Sequence, residues 1–309
     1  MLTRRQLLQG IGGLTAAVLA AKAASRELPD ARPVQHSQAA QRARLLAASS
    51  GTLPVCGVNK GTGTMWSTIS AALGGLAGYR AYNTPAQGIP VTWPGPGASP
   101  VPAGVTLPVI SIKPDIPTVL SGSLDAALAA FAALVPTGAM VTCWHEGETT
   151  SDGFTTTQIL ALHAHCYPIF KAVSPGCLYG QIVASYTATP ASGHYPLGQW
   201  MAPGLDFYGL DGYQSATSDT ATSIFGTAAS QIEGALGSVP LAIMECNSSI
   251  QASRPAWFSN TWSWAQANNC LAYFQYWDAA GSGTSHAWVP GDSATIAALS
   301  AINAASLAG

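Results

Sequence analysis

The chain has 309 residues, of which only 8% are Asp, Glu, Lys or Arg and 48% are hydrophobic. Net charge is −2 with no basic stripe, so nothing supplies the phosphate-neutralising surface that a nucleic-acid partner requires. The length suits two ordinary domains or one α/β barrel.

Residues 1–23 read as a twin-arginine export signal. Arg4 and Arg5 precede a Gly- and Ala-rich apolar run that is too short for a dependable membrane span, and Ala21-Lys22-Ala23 offers small residues for cleavage. The mature protein is therefore expected outside a bacterial cell, as a monomer with no membrane attachment once the signal is removed. Residues 24–50 are polar and Ala-rich and read as a leader, which leaves 51–309 as the folded domain. Six cysteines in an exported chain make disulfides an expectation. Cys166 and Cys177, close in sequence, are one candidate pair that would staple a helix end to the next strand. His163-Ala164-His165 falls in a helical stretch, where i and i+2 point to different faces. With no CxxC and no HExxH either, no metal or other cofactor is expected.

Past residue 50, short apolar runs alternate with longer segments of helical periodicity. Strands are predicted at 53–59, 79–83, 107–114, 139–146, 178–185, 205–211, 239–245 and 271–277. Several are apolar at nearly every position, as parallel strands covered on both faces should be. Helix stripes run through Trp66, Ile69, Leu73 and Leu76; through Leu124, Leu128, Phe131 and Leu134; and through Ile159, Leu162, Cys166, Ile169 and Val173. Two more follow, on Phe225, Ala228, Ile232 and Leu236 and on Ile296, Leu299 and Ile302. No helix is evident after the second and fifth strands, and 84–104 is rich in Pro and Gly. Eight strands alternating with helices predict an α/β fold of the (β/α)₈ barrel type. An open doubly wound sheet would carry a Gly-rich phosphate loop after its first strand, and NKGTGTMW lacks the third glycine.

Active sites of such barrels lie at the C-terminal ends of the strands. The predicted ends gather Arg80, Lys113, His145, Glu146, Glu148, Tyr208, Asp211, Tyr213, Glu245 and Trp277, much of the chain's scarce charge on one rim. Glu146 after the fourth strand and Glu245 after the seventh are the strongest feature. Two carboxyls facing across a barrel mouth are the apparatus of glycosidic bond hydrolysis, one protonated to donate and one ionised to attack or to activate water. A polysaccharide is then the expected partner. The alternative is a carbohydrate- or cell-wall-binding barrel that has lost catalysis.

A carboxylate at strand four, another at strand seven and a Trp closing strand eight resemble the large clan of retaining (β/α)₈ glycoside hydrolases. Trp144-His145-Glu146 is most similar to the motif of glycoside hydrolase family 26, the mannanase-type branch, with Gly147 where that motif often has Pro. The resemblance implies Glu146 as acid/base and Glu245, in LAIMECN, as nucleophile. It also implies Arg80 as the cation holding the nucleophile ionised, Tyr213 as its hydrogen-bond donor and Trp277 as the floor for the sugar at the cleavage point. His145 would contact substrate or brace the pair, and Lys113 and Asp211 join the substrate-binding rim. Tyr208 stays open as an alternative to Tyr213, and Glu148 as an alternative acid should the fourth strand run longer.

Overall fold

In the computed structural model, eight parallel strands close into a barrel in chain order, each paired with its sequence neighbours and β8 with β1. Residues 54–60, 66–95, 101–149, 153–277 and 292–308 are described, with backbone alone for 59, 60, 66, 67, 277 and 308. The expected export signal and leader lie outside the described residues.

The strands are β1 (Val55–Lys60), β2 (Gly78–Tyr82), β3 (Leu107–Ile112), β4 (Met140–Cys143), β5 (Leu178–Ala184), β6 (Phe207–Gln214), β7 (Leu241–Ser248) and β8 (Ala272–Trp277). Their near-continuous apolar character has a simple cause: alternate residues feed two separate cores. Val109, Met140, Ile182, Phe207, Ala242, Met244, Ala272 and Phe274 fill the barrel interior. Val58, Ile110, Val141, Val183, Leu210, Ile243 and Tyr273 face the helices. Gly57 and Gly78, opposite each other in register, leave room for the Phe274 ring. A Cβ on Gly78 would lie 2.8 Å from it.

The outer layer is α1 (Trp66–Ala72), α2 (Ile116–Leu120), α3 (Asp125–Ala132), α4 (Thr156–Val173), α5 (Thr227–Leu236), α6 (Arg254–Ala267) and α7 (Ser293–Ala308). Asp115 caps α2 through Thr118 N, and Thr155 with Gln158 forms a capping box on α4. As predicted, β2 and β5 are followed by loops, the second of them carrying three short 3₁₀ turns between Ser185 and Trp200. No helix among the described residues is long and apolar enough to cross a membrane.

Three expectations need correction. The fourth strand ends at Cys143, so Glu146 stands in the turn beyond it. Strands β6 and β7 run three residues past the predicted 211 and 245, so Tyr213 belongs to a strand and not to the turn after it, and Asp211 and Glu245 lie within their strands rather than at the ends. The Cys166–Cys177 pair does not form, and all six cysteines are free and buried. Helix α4 runs on from Cys166 to Val173 before the chain turns, carrying it about 10 Å away at 1.5 Å per residue. Cys166 instead packs beside Cys143 and Tyr179.

Candidate active site

Glu245 reaches the barrel interior through an irregularity. Ile243 faces the helices and Met244 the interior, so strict alternation would turn Glu245 outward. The ladder with β6 slips here: Leu210 pairs with Ile243 but Asp211 pairs with Glu245, leaving one extra residue in β7. This β-bulge puts Met244 and Glu245 on the inner side in succession and returns Cys246 to the outer core, where its thiol lies 3.1 Å from the Tyr273 hydroxyl. A bulge also withdraws a backbone carbonyl from the ladder. Arg80 Nη1 donates to the Met244 carbonyl at 2.7 Å, so the same guanidinium fixes the bulge and the carboxylate beside it.

Arg80 is fully buried on β2, with Nη1 3.2 Å from both Glu245 Oε1 and Asp211 Oδ1. Glu245 has two further donors: Tyr82 donates to Oε1 at 2.5 Å, and Tyr213 donates to Oε2. Burial first, and then neighbours including Glu245 itself, raise both phenols well above their usual range, so each keeps its proton to donate. Tyr82 also lies under the Arg80 guanidinium at 4.7 Å and against the edge of His145 at 5.1 Å. Across the mouth, Tyr276 on β8 meets Tyr213 edge-on at 5.9 Å, and Asn247 donates to its carbonyl.

Glu146 sits in a tight turn. Its φ of 54° and the 58° of Trp144 are left-handed values that non-glycine residues adopt at a cost of roughly 1–3 kcal/mol each, and such residues cluster at functional sites. The surroundings enforce them. Trp144 N donates to Ile112 O, Glu146 N donates to Ile182 O, and the Trp144 indole donates to Pro114 O and packs on Phe154. At Gly147 a Cβ would lie 2.7 Å from Ile159, which closes this position to the Pro of the resembling motif. Burial, then Glu245 and Glu148, push the Glu146 carboxyl up to about 8, against the lowering effect of Arg80 and Lys113. A carboxyl held there keeps its proton at neutral pH. Asp211 is raised above the carboxylate range too, by burial first, while Arg80 opposes.

Several predicted site residues therefore converge: Arg80, Tyr213, Asp211 and Glu245 touch one another directly or through Arg80, and His145 joins them through Tyr82. Burial and the charges of Arg80 and Lys113 hold His145 well below the usual imidazole range, hence neutral. Lys113 ends near the rim with its ammonium 4.9 Å over the Trp144 ring. Tyr208 does not join them. It belongs to the outer core, donating to Ala202 O at 2.7 Å, because even positions of β6 face the helices and odd ones the interior. The side chain of Trp277 lies outside the described residues. Tyr82 and Tyr276 were not singled out from sequence, though i+2 from Arg80 pointed to the first. We expect Tyr82→Phe to lower kcat/KM about 10- to 100-fold, the worth of one hydrogen bond to a charged group. A change below twofold would show that Tyr213 and Arg80 suffice.

No family model matches the chain, and no curated protein sequence does. Among solved structures, the catalytic domain of a family GH26 endo-β-1,4-mannanase from Bacillus sp. JAMB-750 aligns with a TM-score of 0.54. The two are 15% identical over 85% of this chain and 88% of that one. A GH26 β-mannanase from Bacteroides ovatus gives 0.53 at 12% identity, over 86% and 93%. XacCel5A, solved with cellopentaose, gives 0.59 at 10% identity, over 82% and 100%. The chain shares their fold.

Proposed function

We propose that the protein is a retaining glycoside hydrolase that cleaves a β-linked polysaccharide through Glu146 and Glu245. The observation that carries this reading is the asymmetry of the two carboxyls: Glu146 buried in its turn, with burial and the nearby Glu245 pushing its pKa up to about 8, and Glu245 held by Arg80, Tyr82 and Tyr213 as donors. In the first step Glu245 attacks the anomeric carbon as Glu146 gives its proton to the glycosidic oxygen, so the C–O bond breaks and a glycosyl ester forms. In the second, water attacks the same carbon, its proton passes to Glu146, and the ester bond to Glu245 breaks. Arg80 compensates the charge that Glu245 recovers.

β-Mannan is the first substrate to test, because two of the structural neighbours are named β-mannanases. Purified protein on a panel of β-mannan, xylan, mixed-linkage glucan and cellulose should release reducing ends from at least one, with the β-anomer formed first in NMR. Binding without release would favour the non-catalytic alternative, and a first-formed α-anomer would defeat retention. A polysaccharide is too large to enter a bacterial cell, so an enzyme that cleaves one has to act outside it, and Arg4-Arg5 fits export of a folded enzyme. Replacing both with Lys should abolish its appearance outside a bacterial host's cytoplasm; unchanged export would sink that part.

A further inference from the structure

A second acid, Glu148, stands behind Glu146 and is not used by the two-step mechanism. It is 1% exposed and makes no ion pair among the described residues. Its Oε1 accepts from Ala184 N at 2.6 Å and from Thr187 Oγ1 at 3.3 Å, while Oε2 is buried with no hydrogen-bond partner. Ala184 is the last residue of β5 and Thr187 belongs to the 3₁₀ turn that follows. The turn itself is closed by Thr149, whose N and Oγ1 both donate to Glu146 O. Glu148 thus lies one residue inside that closure and fastens it to the neighbouring strand. An ionised carboxylate without a cation in such a place would be costly, whereas the neutral acid keeps both acceptor bonds on Oε1 and leaves only the Oε2 hydroxyl without a partner among the described residues, a smaller penalty than a buried charge.

We propose that Glu148 is the positioning residue of the proton donor: as a neutral acid it ties the Glu146 turn to the end of β5 and so aims Glu146 at the glycosidic oxygen. This rests on the reading of Glu146 as acid/base. The charged and titratable groups around the pair, among the described residues, are Arg80 and Tyr82 on β2, Lys113 after β3, His145, Asp211 and Tyr213 on β6 and Glu245 on β7. Of these, Asp211 acts on Glu148 to keep its proton on, and burial acts more strongly in the same direction, up to about 8. Loss of the Glu148 proton places a second negative charge beside Glu146, so the competent state carries both protons. Activity should then fall above pH 8 with a two-proton dependence.

Two measurements test this. Carboxyl signals of ¹³C-Glu-labelled protein, titrated from pH 5 to 10 without substrate, should show two groups changing near pH 8 in the native chain and one in Glu148→Gln. Kinetically, Glu148→Ala should lose on the order of 10- to 100-fold in kcat, the scale of an ångström of misplacement. The loss should be greater for poor leaving groups, and Glu148→Gln, which keeps the acceptor oxygen, should restore most of it with a one-proton alkaline limb. Two groups still titrating near pH 8 in Glu148→Gln, or Glu148→Ala within twofold of native kcat, overturns the proposal. If no polysaccharide or aryl glycoside is turned over, the glycosidase reading fails, while the titration still decides the state of Glu148.

Discussion

Glu245→Ala is expected to abolish glycosyl-enzyme formation and to lower kcat by at least roughly 10⁴-fold, the scale seen when a nucleophile is removed from a covalent mechanism. Arg80, Tyr82 and Tyr213 all address this one carboxylate. Removing it leaves no group to bond to the anomeric carbon, however well Glu146 still donates. The fold should survive, because Arg80 keeps its ion pair with Asp211 and its bond to the Met244 carbonyl. The space vacated also makes a prediction of its own. A small anion such as azide, entering where the carboxylate was, would attack from the same face and stay bonded, giving an α-glycosyl azide from an activated β-glycoside. Mass spectrometry of native protein trapped with a slow fluoro-sugar substrate should find the label on Glu245. More than about 1% residual activity in the Ala variant, with β-configured product, would mean that another group attacks.

The barrel was legible because its strands are buried on both faces, and eight such runs survive any uncertainty about their ends. The ends themselves were not. LAIMECN reads as a plain apolar strand, and nothing in its alternation announces that Met244 is an extra residue; the bulge exists only in relation to the Leu210–Asp211 step of the neighbouring strand. The turn at Trp144 and Glu146 was hidden for a related reason, since left-handed backbone at Trp and Glu is imposed by Ile112, Ile182 and Pro114 from other elements. Helix-free connections after β2 and β5 were legible through Pro and Gly. Tyr82 could have been found by stepping two residues on from Arg80, and Tyr208 set aside by counting back from Asp211 with the same period. The cysteines offered no such rule. Which thiols meet depends on the angle at which α4 crosses β4 and β5, and that angle leaves no mark on spacing.

Glu146→Ala should behave in the opposite way from Glu245→Ala. It removes the proton donor and leaves the attacking carboxylate, so the loss should depend on how much the leaving group needs a proton. With a natural sugar leaving group the first step should slow by roughly 10²- to 10⁴-fold, the usual contribution of general acid catalysis. With an activated aryl leaving group that step should be nearly unaffected, and the glycosyl-enzyme should accumulate because deglycosylation lacks its base. The pH dependence follows from the same carboxyl. Burial, Glu245 and Glu148 hold its pKa at about 8 in the fold, against 4.5 for an unperturbed Glu. The native enzyme should therefore lose activity on natural substrates as pH rises through 8, and the Ala variant should lose Glu146's share of that limb. Stability carries the same sign. Between pH 4.5 and 8 the folded chain holds a proton that the unfolded chain has released, so the folded state weakens as pH rises through that window. Each tenfold difference in proton affinity is worth roughly 1.4 kcal/mol, which makes the effect on the order of a few kcal/mol. Glu146→Gln, which carries no ionisable proton, should flatten this slope and melt higher than the native chain at pH 8 while losing catalysis. Equal losses on both kinds of substrate, together with an unchanged melting profile, would remove Glu146 from the role of acid and leave Glu148 to be tried in its place.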